Sequence, residues 1–265
     1  MTSQLRNIIA FISYAIKRKK SKHNYFQFQQ FQSQLVINIL KKYINLNQPQ
    51  IILDVGSRYG GYVYPLLQIK KHEIISLDKY PSSFAIEQYK KLTTPGKHSA
   101  IKRVLKEKTA LLLNTKEIAA LQGDITCTPF NDNSFDLILA SSIIEHVKDQ
   151  QQMIDECYRI LKPEGILYLS FPPYYSPVGG HYLSPFHYLP QNISFWIFKK
   201  LHPNKEKPYD LCPTTISSIF KMVKVKFIIR TMRPRVFEFL TPLLYIPLLR
   251  EVICHHIEFI LEKKR

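Results

Sequence analysis

Apolar residues recur every three or four positions near the start of the chain, and this spacing predicts helices over residues 3–18 and 26–46. The sequence Gln48-Pro49-Gln50 then ends the helical pattern. Beyond it, short apolar runs alternate with helix-like segments, which is typical of a parallel sheet covered by helices on both faces. The runs that we interpret as strands are Ile51–Val55, Glu73–Leu77, Ala119–Leu121, Phe135–Ala140 and Gly165–Phe171.

The remaining segments complete this sheet. Asp149–Leu161 carries one apolar stripe and predicts a crossover helix, whereas residues 81–118 exceed one crossover and predict an inserted helix or lid. Near the end of the chain, Val223–Thr231 and His256–Leu261 have the pattern of strands, and Val236–Ile253 between them has that of a helix. The pattern as a whole predicts an α/β, doubly wound, mostly parallel seven-stranded sheet with an antiparallel edge and helical additions at both ends.

Composition adds that this is one folded domain. The 265 residues are 45% hydrophobic and 22% charged, the opposite of a disordered chain. The four cysteines are scattered without a Cys-x-x-Cys pair, so the sequence predicts neither a metal site nor a disulfide framework, and it favours a reducing, cytoplasmic location. We divide the domain into a helical extension (1–48), a core (49–172) and a C-terminal part (173–265) with a lid, a helical insertion and the last strands.

The net charge of +17 lies at the two ends of the chain. Residues 1–48 contain eight basic and no acidic residues, residues 49–198 are nearly neutral, and residues 199–265 contain 14 basic and six acidic residues. The apolar runs Ile8–Ile16 and Phe237–Leu249 fall within these basic ends, and both are too short or too interrupted to cross a bilayer. They are compatible with helices that pack on the core or with helices that lie on a membrane surface.

Candidate chemistry begins where the first strand of the core ends. Asp54-Val55-Gly56-Ser57-Arg58-Tyr59-Gly60 is a strand followed by a Gly-containing turn, and such turns let a ligand approach the backbone at the carboxyl edge of a sheet. The next strand ends in Asp78, 24 residues after Asp54, where nucleotide-binding folds place a carboxylate on ribose hydroxyls. The turn lacks the full Gly-x-Gly-x-x-Gly pattern of dehydrogenases.

Taken in order, these segments resemble the motifs of class I S-adenosylmethionine-dependent methyltransferases of the small-molecule, methyltransferase-11-like branch, which have a Rossmann-like fold. The resemblance covers about residues 50–172 and includes the turn after Asp54, Asp78, and the segments Gln122–Ile125, Pro129–Ile138, Ser141–Val147 and Glu156–Gly165. It implies S-adenosylmethionine as the cofactor and residues 49–172 as its binding core.

The resemblance also implies roles for particular residues. Asp54, Gly56, Ser57 and Gly60 would form the loop near the methionine moiety, and Asp78 would hold the ribose. The remaining implied contacts are Asp124 and Ile125 at the adenine and Ser141 near the sulfonium.

Two features depart from the family. The middle glycine of the turn is Arg58 here, which a loop tolerates if that residue keeps a negative φ; otherwise we expect a remodelled loop and weaker cofactor binding. Pro172-Pro173-Tyr174 is similar to the Pro-Pro-Tyr motif of enzymes that methylate amino groups, but that motif follows the fourth strand, and here it follows the fifth. We therefore do not favour methylation of bases.

The acceptor pocket is expected after the fifth strand, in a segment rich in aromatic residues, Pro and Gly. An alcohol acceptor needs a base, and we predict His181 or His187, with His181 preferred because Gly179-Gly180 precedes it. For His146 we expect a structural role.

Three functions remain open. We favour O-methylation of a small molecule, glycan or lipid-linked acceptor, with no metal and a possible peripheral contact of the basic ends with a membrane. The alternatives are an RNA or protein methyltransferase, with nucleic acid the less favoured partner, and a non-catalytic membrane-surface module on the same fold.

Overall fold

The computed structural model describes residues 3–69, 71–106, 109–203 and 211–265. The strands are β1 (Ile51–Val55), β2 (Glu73–Asp78), β3 (Leu111–Asn114), β4 (Ile118–Gln122), β5 (Phe135–Ser141), β6 (Leu161–Phe171), β7 (Phe227–Pro234) and β8 (Ile257–Lys263). The helices are α1 (Ser3–Lys17), α2 (Lys22–Leu40), α3 (Tyr64–Ile69), α4 (Ser83–Leu92), α5 (Ile101–Val104), α6 (Gln150–Ile160), α7 (Gln191–Leu201), α8 (Ile216–Lys226) and α9 (Pro247–Ile253).

Within these ranges one sheet contains eight strands in the order β3-β4-β2-β1-β5-β6-β8-β7. The five strands from β4 to β6 pair in parallel, and β3, β7 and β8 pair antiparallel. The predicted α/β class with a mostly parallel sheet and an antiparallel edge is therefore confirmed. The predicted number of seven strands is wrong, because the segment expected to hold only an inserted helix or lid also contains β3.

Helices cover both faces of the sheet. One face packs against α2, α3 and α4 through residues such as Leu40, Leu66 and Tyr89. The other face packs against α5, α6 and α8 through residues such as Ile154 and Ile219. This double cover explains why the parallel strands are apolar at nearly every position rather than at alternate ones.

The helix α1 lies outside this sandwich and packs on α2. Phe11 contacts Phe28 and belongs to a small apolar cluster with Val236, just after β7. The two ends of the chain are therefore in contact. Of the helices in the described ranges, none is both long and apolar enough to cross a membrane.

Two predicted elements differ from the structure near the end of the chain. Residues 223–226 are the last turn of α8 rather than the start of a strand, because Thr215 and Ser218 form a capping box that begins a helix at Ile216. Residues 236–253, predicted as one helix, form a 3₁₀ segment (Glu238–Tyr245) followed by α9, because Pro242 and Pro247 interrupt a regular helix.

Candidate functional site

The glycine turn after β1 lies at the carboxyl edge of the sheet and requires both of its glycines. Gly56 has φ +71° and Gly60 has φ +79°, a region that residues with a side chain rarely adopt. A Cβ atom would lie 2.8 Å from Ile143 at Gly56 and 2.7 Å from the ring of Tyr89 at Gly60. The N–H of Gly60 donates to the carbonyl of Ser57, which closes the turn.

Arg58 occupies the middle of this turn with φ +46°, so the condition of a negative φ is not met. A left-handed backbone costs a non-glycine residue about 1–2 kcal/mol. Contacts offset that cost: the N–H of Arg58 donates to Oδ2 of Asp78 at 2.8 Å, and its guanidinium lies 5.5 Å from the ring centroids of Tyr25 and Tyr59. Arg58 therefore adopts the left-handed conformation that a glycine would provide, and its backbone and side chain each make contacts that stabilise it.

The structure places the carboxylates of Asp54 and Asp78 at the ends of neighbouring strands. Asp78 accepts hydrogen bonds from the N–H groups of Arg58 and Tyr80, one at each oxygen, and each oxygen keeps a second lone pair. Asp54 is 3% exposed, and its Oδ2 has no hydrogen-bond partner in the described part of the chain. Burial, and next the charge of Asp78, raises the pKa of Asp54 to about 8.

This orphaned oxygen tests whether the site fits the expected cofactor. A buried carboxylate without a partner is unfavourable, and a ligand that brings a cationic or hydrogen-bond donor group satisfies it. S-adenosylmethionine carries such groups, an ammonium on its methionine moiety and hydroxyls on its ribose. The residues present at the glycine turn, Asp54 and Asp78, therefore fit that cofactor.

The predicted adenine residues lie beside this edge. Asp124 accepts from the N–H and hydroxyl of Thr126 and from Lys79 at 3.1 Å, so its carboxylate already forms three hydrogen bonds. Ile125 is buried in the core, on the face of the sheet that α5 covers. The N–H of Gly123 donates to the carbonyl of Asp78, which ties the Asp124 segment to the predicted ribose carboxylate.

Ser141, at the end of β5, belongs to a buried polar network. Its Oγ accepts from Ser170 at 3.2 Å and from Nη2 of Arg235 at 3.0 Å. Arg235 and Glu258 are each 1% exposed and form an ion pair at 3.1 Å, and Tyr168 donates to the same carboxylate at 2.6 Å. The side chain of Arg235, which follows β7, therefore reaches Ser141 at the carboxyl edge of the sheet.

Sequence reasoning did not identify Arg235 or Glu258. One signal was available, since Glu258 is a lone carboxylate inside the apolar run of the last strand. A buried carboxylate is almost always paired, so that position called for a cationic partner. The identity of the partner depends on the antiparallel pairing of β7 with β8, which the pattern alone does not provide.

Glu145, His146 and His181 form a second cluster beside this edge. Glu145 is 1% exposed, and its Oε1 lies 4.0 Å from Nε2 of His181. The rings of His146 and His181 meet edge to face with centroids 5.2 Å apart. Their potential ligand atoms all lie within 4.8 Å of one another, so these residues could hold a metal ion.

Ionisation of this cluster is strongly perturbed. Burial raises the pKa of Glu145 to about 8. Burial, followed by the nearby charges of His146, Arg18 and Arg58, lowers the pKa of His181 to about 4. The carboxyl group of Glu145 is therefore mostly protonated near neutral pH, and the imidazole of His181 is neutral.

The other predicted base, His187, has different surroundings. It is 1% exposed, its Nε2 lies 3.1 Å from the carbonyl oxygen of Ser176, and its ring contacts that of Tyr188 at a tilt of 38°. A Cβ atom at Gly180 would lie 2.2 Å from this ring, so the histidine packs directly against the loop that precedes His181. His187 is therefore almost closed to solvent, whereas the side chain of His181 is 32% exposed.

Comparison with known proteins identifies similarity over the same central part of the chain. Residues 53–169 match the profile of the methyltransferase domain family. Over this segment, which is less than half of the chain, the sequence is similar to methyltransferase domains. An uncharacterized methyltransferase of Mycolicibacterium vanbaalenii is 33% identical over 82 residues, which are 31% of this chain and 32% of that protein. The alignment thus spans about a third of this relative's length.

Solved structures extend the similarity in fold to most of the chain. A protein from Pyrococcus horikoshii superposes with a TM-score of 0.57 at 15% identity, over 90% of this chain and 92% of its own. A SAM-dependent methyltransferase from Methanosarcina mazei superposes with a TM-score of 0.54 at 18% identity, over 85% of this chain and 97% of its own. At this identity the likeness concerns the fold alone.

Proposed function

We propose that the chain transfers a methyl group from S-adenosylmethionine to a hydroxyl group of a small-molecule, glycan or lipid-linked acceptor. The observation that supports this most directly is the pair of carboxylates at the glycine turn. Asp54 presents a buried oxygen without a partner, and Asp78 keeps free lone pairs beside it. Bound S-adenosylmethionine supplies an electrophilic methyl group, and the protein's task is to align it with the acceptor.

The acceptor oxygen must lose its proton as it attacks. We propose His181 as the side chain that takes it, because it is partly exposed and lies next to the buried Glu145 carboxyl. The oxygen then bonds to the methyl carbon while the carbon–sulfur bond breaks and its electron pair stays on sulfur. The aromatic loop after β6, which includes Tyr174 and Tyr188, would exclude water from this reaction.

Isothermal titration with S-adenosylmethionine is the first test. We expect one molecule bound per chain, and tighter binding than that of adenosine, which lacks the methionine moiety. A transfer assay with labelled cofactor and extracted glycan or lipid fractions then tests the acceptor. A folded chain that binds neither S-adenosylmethionine nor S-adenosylhomocysteine would refute the proposed enzyme and leave the non-catalytic alternative.

We further propose that the enzyme acts at a membrane surface. One stripe of α1 exposes the apolar side chains Leu5, Ile9, Ile12 and Ile16, although the opposite side packs Phe11 against the core. The stripe is spaced at one helical face, and basic residues follow it from Lys17 to Lys20. Amphipathic helices with such a basic border bind at the boundary between headgroups and acyl chains.

A second apolar surface lies near the first. The segment from Phe239 to Val252 exposes further apolar side chains, among them Leu248 at 86%. The apolar cluster of Phe11, Phe28 and Val236, with Phe237 packed against it, brings this segment beside α1. A lipid-linked acceptor would then reach a site whose border already contacts the bilayer.

Co-sedimentation with vesicles of phosphatidylcholine and phosphatidylglycerol tests this surface. We expect the full chain to sediment at low salt and to be partly released at high salt, since anionic lipids contribute about 1 kcal/mol per nearby basic residue. The triple variant Ile9→Ser, Ile12→Ser, Ile16→Ser should stay in the supernatant. The matched control Leu112→Ser, Val225→Ser changes exposed apolar residues elsewhere. Equal recovery of all three proteins in the supernatant would refute the membrane contact.

A further inference from the structure

The cluster of Glu145, His146 and His181 brings together three potential metal ligands from two separate loops. Glu145 and His146 follow β5, and His181 belongs to the loop after β6. Their potential ligand atoms lie within 4.8 Å of one another, with Oε1 of Glu145 and Nε2 of His181 4.0 Å apart. Two imidazoles and one carboxylate are a ligand set that divalent transition metals prefer.

The side chain of Glu145 is buried next to His181. It is 1% exposed, and within the described ranges neither of its oxygens has a hydrogen-bond partner. Its backbone is held independently, because the N–H of Cys212 donates to its carbonyl at 2.8 Å. A buried carboxylate left without partners is unfavourable unless a proton or a cation neutralises it.

The loop that carries His181 is closely packed at the two glycines that precede it. His181 has φ +49°, a strained conformation for a residue with a side chain. A Cβ atom at Gly179 would lie 2.0 Å from the carbonyl oxygen of Pro173, and one at Gly180 would meet the ring of His187. Strain of this kind persists where the surroundings hold a side chain in a required direction, here toward Glu145.

We propose that Glu145, His146 and His181 bind one divalent transition-metal ion, with open coordination positions for an oxygen ligand. Metal–ligand distances of about 2.0–2.2 Å require the three groups to move closer by roughly 1 Å, which side-chain rotation allows. Arg18 and Arg58 carry positive charge near His181 and oppose the cation, so the site is weaker than one with more carboxylates.

Binding of the metal ion is independent of the proposed methyl transfer, whereas the role of the ion in the reaction rests on that function. An acceptor hydroxyl bound to the ion ionises more readily. Its proton then leaves to solvent, the oxygen bonds to the methyl carbon, and the carbon–sulfur electron pair stays on sulfur. In this form Nε2 of His181 binds the metal and is not the base, so the two roles of His181 exclude each other and can be told apart.

The experiment is a titration of the chelator-treated full chain with Co²⁺, followed by its visible absorption, and with Zn²⁺ and Mn²⁺ by calorimetry. We expect one site per chain, a Co²⁺ spectrum of low coordination number, and at least tenfold weaker binding in Glu145→Gln and His181→Ala. His23→Ala, which removes an exposed histidine on α2, is the matched control and should bind as the unmodified chain does.

Circular dichroism confirms that each variant is folded. Equal affinity in Glu145→Gln and the unmodified chain, or no binding of any of the three ions at millimolar concentration, would overturn the metal site. Titration of the metal-free chain with S-adenosylmethionine keeps this result separate from the proposed function. Cofactor binding and methyl transfer that persist without metal would leave the function intact and return His181 to the role of base.

Discussion

Replacing Asp54 with Asn is expected to stabilise the protein in the absence of cofactor and to weaken its binding of S-adenosylmethionine. The carboxyl group is buried, its Oδ2 has no partner within the described residues, and burial with the nearby Asp78 raises its pKa from 3.8 to about 8. Asparagine has nearly the same shape and no group to ionise. The substitution therefore isolates the effect of the ionisable group.

The magnitude follows from proton linkage. Between pH 3.8 and about 8 the folded protein keeps a proton on Asp54 that the unfolded chain releases. The stability from Asp54 is therefore fully present at low pH and is lost as the pH rises toward 8, by about 1.4 kcal/mol per pH unit. At pH 7 the loss amounts to at most about 4 kcal/mol. Asn avoids it, so the gain in unfolding free energy should grow from pH 5 to pH 8.

Urea unfolding at pH 5, 7 and 8.5 measures this difference through the midpoint and slope of each transition. Asp124→Asn is the matched control: burial raises the pKa of Asp124, but hydrogen bonds from Thr126 and Lys79 outweigh it and lower the pKa. That control should show no gain that grows with pH. Parallel pH profiles of Asp54→Asn and the unmodified chain, or a less stable Asp54→Asn at pH 8.5, would refute the reasoning.

Three further substitutions test the site and its support. Asp78→Ala should weaken S-adenosylmethionine binding by more than tenfold in calorimetry, since lost acceptors are worth about 1–3 kcal/mol each, whereas Glu87→Ala on the exposed side of α4 should not. Gly60→Ala should lower the unfolding free energy by about 1–3 kcal/mol in urea titrations, because its Cβ meets Tyr89 at φ +79°; an unchanged midpoint would contradict the tight turn. Glu258→Gln should lower the free energy of unfolding by about 3–5 kcal/mol in thermal or urea unfolding, because it leaves Arg235 without its counter-charge. The same change at the more exposed Glu262 should lower it by less than about 1 kcal/mol. Equal losses in the two variants would argue against the buried pair.

The parallel centre of the sheet could be predicted because its strands are buried on both faces. Ile51–Val55 and Phe135–Ser141 are apolar at most positions rather than at alternate ones, and Asp54 and Ser141 near their ends mark the carboxyl edge. The short β3 was missed because its apolar run, Ala110–Leu113, has only four residues and is partly exposed at the sheet edge. Residues 223–226 were misassigned because apolar and basic residues alternate there, while the helix start at Thr215 decides their conformation.

Those parts of the candidate site that lie within one short segment of the chain could be predicted from the sequence. The turn from Asp54 to Gly60 and the carboxylate at Asp78 follow from local sequence. The clusters around Arg235 and Glu145 do not, since each joins residues far apart in the chain whose proximity depends on the sheet order. Arg58 shows a third limit: its φ of +46° is set by contacts with Tyr25, Tyr59 and Asp78 rather than by its own preference.

The position of β8 has a consequence for how the chain is synthesised. It inserts between β6 and β7, so β6 gains its second neighbour only when residues 257–263 have left the ribosome. Until then β6 presents an open, apolar strand edge, and Arg235 has no Glu258 to pair with. Open edges on nascent chains favour aggregation. Premature stops before residue 257 should therefore give insoluble fragments, even though residues 53–169, which match the methyltransferase domain, are complete.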